Sequence, residues 1–425
     1  MRFSTAFRDP VRRRLEKMRS ADIVIGIPCW NNDSTIAYVI KTIEEGLSKY
    51  FGDKKCVMFV SDGGSTDDTR EEAEELERSP WIERIVTIYR GIPGKGSAVK
   101  EIFEAASLLG AKACAIFDSD LRSITPDWVE RVISPIMSDD FDFVAPYYKR
   151  YKYDGTITNN IVYNLTRSLY GYRVRQPIGG DFGFSLLLVR EYLKEETWET
   201  DIGRFGIDIW LTTLAMIKSF RIAQANLGVK IHDVKDPAEA LGPMFQQVVS
   251  TLLSLMEDNE NVWKSIRGSK VVPIVGLEVN VEPEAFTVNH TKLIDDFKLG
   301  FQRFGEIWHK IILPENYAII ESLYNKNGKD FIMSTEAWVK ILYDLAVSYK
   351  CWKTNRRSLM GIMTPLYFAR IASFINRTAD MDNQEAEMVV EEQAQMFEDQ
   401  KDYLIQRWND HSMYEIAAGI ACEIK

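Results

Sequence analysis

The chain has 425 residues, 46% hydrophobic and 27% charged, which leaves room for two domains with separate cores. Its formal net charge of -10 argues against nucleic acid or an anionic membrane as a partner held by bulk charge, so an anionic ligand has to be met by local groups or a metal. Five scattered cysteines, Cys29, Cys56, Cys114, Cys351 and Cys422, form neither a zinc pattern nor a disulfide framework and point to a reducing compartment.

Residues 1–20 read as a basic arm, with Arg12-Arg13-Arg14 and Arg19 but no apolar run of the secretory kind. No stretch is expected to span a bilayer, and a cytoplasmic location is expected. Asp22 to Pro28 reads as a buried strand closed by proline, followed by the loop Cys29-Trp30-Asn31-Asn32-Asp33 and a helix capped at Ser34. A second strand, Cys56 to Val60, leads into Ser61-Asp62-Gly63-Gly64-Ser65-Thr66-Asp67-Asp68-Thr69, and a third, Ile85 to Tyr89, into Gly91 to Ala98 with its Gly94-Lys95-Gly96. After a helix to about Leu109, the strand Ala113 to Phe117 ends at Asp118-Ser119-Asp120. Side chains two apart on a strand point the same way, so the two carboxylates face one another's charge and call for a cation, magnesium or manganese by ligand type.

A further strand, Phe141 to Pro146, precedes the basic and aromatic run Tyr147 to Tyr153, a short loop suited to one small anion. A helix (Asn159 to Tyr172), the turn Gln176-Pro177-Ile178-Gly179-Gly180-Asp181, the segment Arg204 to Trp210 and the strand Leu227 to Ile231, ending at His232, follow. Strand and helix alternate up to here, which predicts an open, mainly parallel Rossmann-like sheet with its ligand site outside the strands' carboxyl ends. That region is expected over 21–236. Beyond it, 237–425 reads as a mostly helical domain, with helical spacing in Met244 to Met256, Thr291 to Ile311, Thr335 to Tyr349 and Glu387 to Trp408. Val271 to Glu282 is expected to be an extended link. Leu359 to Phe374, broken by Pro365 and Arg370, is expected to be core or an oligomer interface.

Ile27-Pro28 with Asn31-Asn32, the Asp62 loop, Gly94-Lys95-Gly96 and Asp118-Ser119-Asp120 resemble, in order, the four nucleotide-sugar landmarks of the GT-A glycosyltransferases. Gln176 to Asp181, Phe205-Gly206-Ile207-Asp208, Lys230-Ile231-His232 and Asp154-Gly155-Thr156-Ile157-Thr158 resemble more narrowly the retaining enzymes that make glucosylglycerate, mannosylglycerate and glucosyl-3-phosphoglycerate. Two positions depart from that pattern: Asp181 replaces a Glu, and Asn32 stands where the phosphoglycerate enzymes have Glu.

The resemblance implies a nucleotide-diphosphate sugar as donor and D-glycerate or 3-phosphoglycerate as acceptor, with glucose favoured over mannose. It implies donor contacts from Pro28, Trp30, Asn32, Asp62, Lys95, Asp118, Ser119 and Gly180, and acceptor contacts from Arg150, Thr158, Gly179 and Asp208. Asp181, Asp208 and Asp120 would be catalytic, and Asp120, His232 and Asp118 would hold Mg2+ or Mn2+. A homodimer is expected as well. Three other activities share part of the pattern: a polyprenyl-phosphate sugar transferase, a nucleotidyltransferase and a non-catalytic nucleotide-sugar binder.

Overall fold

A computed structural model of the chain describes residues 5–77, 79–231, 242–278 and 281–410. The chain forms two compact units: Met1–Lys149, Val174–Val234 and Val271–Pro283 make the first, and Arg150–Arg173, Lys235–Lys270 and Glu284–Lys425 the second.

The first unit is built on one eight-stranded sheet. Its strands are β1 (Ile23–Cys29), β2 (Cys56–Asp62), β3 (Ile82–Ile88), β4 (Ala113–Ile116), β5 (Phe143–Lys149), β6 (Phe182–Ser185), β7 (Ile222–Val229) and β8 (Ile274–Val275). Their order across the sheet is β8-β7-β5-β6-β4-β1-β2-β3. All neighbours run parallel except β6, which is antiparallel to both β4 and β5. The helices are α1 (Asp9–Met18), α2 (Asp33–Phe51), α3 (Thr69–Glu75), α4 (Lys95–Leu109), α5 (Pro126–Met137), α6 (Leu186–Lys194) and α7 (Ile207–Ile217).

β1, β2 and β4 are buried along their whole length because they lie inside the sheet with both faces covered, and their sequences are correspondingly apolar throughout. One face packs Ile25, Ile27, Met58 and Val60 against Ile36, Ile40, Trp128 and Val132. Aromatic rings cluster among Phe103, Phe184, Tyr192, Trp198 and Trp210, with Phe103 and Phe184 edge to face at 4.9 Å.

β3 is an edge strand, and its outward carbonyls would be open to another chain. The basic arm covers them: Arg8 Nε donates to Ile88 O at 2.7 Å and Arg14 Nη2 to Arg84 O at 3.1 Å, while Leu15 is fully buried.

Several expectations need correction. β1 runs through Pro28 to Cys29, since Pro28 keeps its register opposite Ser61. β4 stops at Ile116, so Asp118 and Asp120 lie in the turn that follows and do not share a strand face. Val271 to Glu282 is more than a link, because Ile274–Val275 adds β8 to the sheet edge.

In the second unit, the described helices include Tyr163–Tyr170, Gly242–Asp258, His290–Ile311, Pro314–Tyr324, Thr335–Cys351, Arg356–Thr378, Asn383–Asp399 and Lys401–Asn409. The helix expected from Asn159 opens instead with a π-helical turn, Thr158–Val162. Arg356–Thr378, at 23 residues, is long and apolar enough to cross a membrane, contrary to the expectation that no stretch would be, and 67% of its most apolar window is buried. Within it Arg370 is buried, donating through Nε to Asn160 Oδ1 at 3.2 Å and through Nη1 to Met333 O at 3.3 Å, and also bonding Gln393. A charged side chain satisfied by its own unit marks a core helix.

Candidate active site

The carboxyl ends of the strands in the first unit gather an ionic cluster. β6 runs against β4 with Phe182 opposite Ile116, so the residues just beyond each strand end, Asp118 and Gly180-Asp181, meet. Asp118 N–H donates to Asp181 Oδ1 at 2.8 Å. Gly180 has φ +91°, and a Cβ there would stand 2.1 Å from Asp118 Oδ2, so only glycine lets the two turns close.

Two lysines neutralise the carboxylates. Lys95, at the start of α4, places Nζ 2.8 Å from Asp118 Oδ1 and 3.1 Å from Asp208, in the first turn of α7. Lys230, one residue past β7, places Nζ 2.8 Å from Asp118 Oδ2, 3.0 Å from Asp181 Oδ2 and 2.9 Å from Gly179 O. The Tyr148 hydroxyl, at the end of β5, also donates to Asp181. Asp208 Oδ1 is buried and lies 3.1 Å from the Lys95 ammonium, an ion pair without a well-aligned hydrogen bond.

Three carboxylates thus face two ammonium groups. Burial opposes ionisation of Asp118, but Lys230 and Lys95 outweigh it and hold its carboxyl well below the usual range. Burial raises Asp181, although Lys230 pulls the other way. Burial likewise raises Asp208, against Lys95. For Lys95 burial opposes the charge, and Asp118 and Asp208 together raise its pKa above the ordinary value.

The loops after β1 and β2 are tied to each other and to this cluster. Asp62, with no exposure, accepts from Gly64 N at 2.9 Å and Ser65 N at 3.0 Å, so its oxygens order its own loop. Asn31 adopts φ 55°, accepts from Thr66 N at 2.9 Å and donates from its own N–H to Ser65 Oγ. Asn32 Oδ1 accepts from Trp30 N at 3.1 Å and from Ser119 Oγ at 2.7 Å. Pro28 is buried beneath these loops, and the Trp30 side chain stands 64% exposed above them.

The structure therefore brings together Asp118, Lys95, Asp208, Asp181, Gly179 and Gly180, with Ser119 joined to Asn32. Asp120 is half-buried beside Asp118 and has no hydrogen-bond or ionic partner among the described residues. His232 lies outside the described residues, and among them no group of three or more His, Cys, Asp or Glu is arranged for a metal ion. Arg150 and Thr158 belong to the second unit, where Arg150 Nη1 lies 3.4 Å from Asp154 Oδ2 and Thr158 is buried. Two other bases of the Tyr147 to Tyr153 run have structural roles. Lys149 pairs with Glu278 at 3.2 Å, and Lys152 Nζ donates to Thr378 O at 2.7 Å and to Ala379 O at 3.2 Å.

Sequence reasoning missed Lys230 and Tyr148 as members of the cluster. The signal available for Lys230 is its place at a strand's carboxyl end, the same feature that marks Asp62 and Asp118.

Residues 24–196 match the sequence model of Glycosyl transferase family 2. No curated protein sequence matches the chain. Similar solved structures include glucosyl-3-phosphoglycerate synthase from Mycobacterium tuberculosis in complex with Mn2+, uridine diphosphate and phosphoglyceric acid, 26% identical over 57% of this chain and 80% of that chain, at a TM-score of 0.43. Its complex with Mn2+, UDP-glucose and phosphoglyceric acid is 25% identical over 60% of this chain and 85% of that chain, also at 0.43. Its complex with Mg2+ and uridine diphosphate is 25% identical over 60% and 85%, at 0.42. The matched segment, 24–196, carries Asp62, Lys95, Asp118, Asp120 and Asp181 at the strand ends of the mainly parallel sheet.

Proposed function

We propose that the protein is a retaining, divalent-metal-dependent hexosyltransferase that moves glucose or mannose from a nucleotide-diphosphate sugar to a hydroxyl of D-glycerate or 3-phosphoglycerate. The observation that carries the reaction class is the family match across the segment holding the strand-end carboxylates. The substrates rest on sequence resemblance, chiefly Gln176 to Asp181 and Phe205 to Asp208.

In this proposal the exposed Trp30 indole is a stacking platform for the base, between the loops that Asn31, Asn32 and Asp62 order. The Asp118 oxygens are both occupied by ammonium groups, whereas Asp120 offers a hard carboxylate with no described partner, and that donor chemistry fits Mg2+ or Mn2+. Asp120 and His232 would hold the ion, which when bound supplies Lewis-acid neutralisation of the departing diphosphate. Asp208 would accept from a sugar or acceptor hydroxyl while its carboxylate stays paired with Lys95. Asp181 is fully enclosed and has both oxygens engaged, so it acts by fixing the Gly179-Gly180 turn beneath the sugar. Neither carboxylate is placed as a free nucleophile, which suits front-face attack with the leaving phosphate oxygen taking the acceptor proton. Orientation then supplies much of the rate.

The test is nucleotide release with Mg2+ or Mn2+, crossing UDP-glucose, GDP-glucose and GDP-mannose against D-glycerate and 3-phosphoglycerate. Acceptor-dependent release that Asp120→Ala abolishes is expected. Release no faster with either acceptor than without, for every donor, would sink the acceptor assignment.

A further inference from the structure

The ionic cluster leaves a charge problem that points to one more residue. A nucleoside diphosphate brings at least two negative charges to this site. Lys95 is already neutralised by Asp118 and Asp208, and Lys230 by Asp118 and Asp181, so the two ammonium groups answer three carboxylates before any ligand arrives. Arg70 lies 3.6 Å from Asp62. Arg204 differs: it is half-buried and has no hydrogen-bond or ionic partner for its guanidinium among the described residues.

Its backbone is pinned beside Lys95. Gly96 N–H donates to Arg204 O at 3.2 Å. A Cβ at Gly94 would lie 2.6 Å from Arg204 Cα, and one at Gly96 would lie 2.0 Å from Ile202 O. The glycines on either side of Lys95 are thus required for the close approach of the segment 201–204. That segment is itself a capped 3-10 turn, Asp201–Gly203, with Thr200 Oγ1 accepting from Ile202 N at 3.3 Å and Arg204 N–H donating to Asp201 O at 3.0 Å. A rigid turn therefore holds the backbone of Arg204, whose guanidinium is uncommitted among the described residues, against the turn that carries Lys95, a lysine with no charge to spare. Arginine binds phosphate through paired, directed hydrogen bonds and stays charged at any working pH.

We propose that Arg204 receives the diphosphate of the nucleotide donor. This rests on the glycosyltransferase reading above and assigns within it the counter-charge that the Lys95 and Lys230 pairs do not supply. Arg204 acts on binding and on the stability of the leaving diphosphate, while Lys95 keeps Asp118 and Asp208 in place.

The experiment is calorimetric titration of the full chain with UDP and GDP, and with uridine and guanosine, in Mg2+, for wild type, Arg204→Gln and Arg204→Lys. Arg204→Gln is expected to weaken the bound diphosphate by about 10- to 100-fold, the worth of a charged hydrogen bond or two, and to leave the nucleoside within about twofold. Arg204→Lys should recover part of the loss, and the salt dependence of diphosphate binding should flatten in Arg204→Gln. Wild-type affinity for the diphosphate in Arg204→Gln would overturn the assignment of Arg204 alone. So would an equal loss for diphosphate and nucleoside, which would mark a fold effect. A wild-type protein that binds neither UDP nor GDP would overturn the glycosyltransferase reading and Arg204 with it.

Discussion

The ammonium of Lys230 lies 2.8 Å from Oδ2 of Asp118, joining the residue after β7 to the turn after β4 across two intervening strands. The same nitrogen reaches Asp181, so one charge separates two carboxylates that would otherwise repel at close range. Only 5% of the Lys230 side chain is exposed, and breaking a buried pair by removing one partner costs about 3–5 kcal/mol. Lys230→Met is therefore expected to lower the unfolding free energy of the first unit, read from denaturant titration, by an amount near the low end of that range. Adding Asp118→Asn should return part of the loss, because the stranded charge goes with it. Equal unfolding free energies for wild type and Lys230→Met would show that the pair contributes nothing.

Gly180→Ala tests the closure of the site by shape alone. The added methyl would stand 2.1 Å from Asp118 Oδ2, on a backbone at φ +91° that an L side chain rarely adopts. The Asp118 turn has to move, and with it the Lys95 and Lys230 pairs. Turnover is expected to fall by about 100-fold or more, since small displacements of positioning groups are that costly. Circular dichroism should remain that of the folded protein, and a variant with undiminished turnover would mean that Gly180 is not packed against a working Asp118.

The first-unit sheet is legible in the sequence because β1, β2 and β4 are apolar runs closed by polar loops. β6 is not, since Phe182-Gly183-Phe184-Ser185 is four residues long, contains a glycine and leads directly into the leucines of α6. That omission hid why Asp181 stands beside Asp118, because it takes the antiparallel register of β6 on β4 to put them there. Asp118 and Lys95 can be read from a strand end and glycine spacing, and Asp208 from the resemblance carried by Phe205 to Asp208. Lys230 is harder: its place at a strand's carboxyl end is the one signal, its local sequence does not otherwise separate it from a solvated lysine, and its role follows from the place of β7, with two strands between it and β4. Within the run Tyr147 to Tyr153, Lys152 satisfies carbonyls near the end of the Arg356–Thr378 helix and Tyr148 turns to Asp181, placements that their local sequence does not show.

The arm makes a third test. Arg8 and Arg14 meet the outward carbonyls of Ile88 and Arg84, and Arg14 Nε also bonds Glu83 at 2.8 Å, which blunts the free edge of β3. A double Arg8→Ala, Arg14→Ala variant is expected to show hydrogen exchange in the segment Ile82–Ile88 about fivefold faster than wild type, with heat-induced aggregation at lower temperature. If exchange there is unchanged while the arm stays folded, the arm's helix and the buried Leu15 cover the edge without its charges.

Glu101 supplies the pH test. It lies on α4 with no exposure and accepts from Ser61 Oγ at 2.6 Å. Burial pushes its carboxyl up to about 7, against the hydrogen bond from Ser61. A glutamate in the unfolded chain titrates near 4.3. Between those two values the folded protein holds a proton that the unfolded chain has released, so unfolding loses a proton and stability falls as pH rises through this window. Above about 7 both states are ionised, the slope vanishes and the full penalty remains, on the order of 3 kcal/mol. Glu101→Gln cannot ionise and keeps an oxygen for Ser61. Its unfolding midpoint should therefore match wild type near pH 4.5 and exceed it at pH 8, with the gap opening between. A gap of the same size at both pH values would show that Glu101 is ionised throughout, and a gap that closes as pH rises would reverse the sign of its effect.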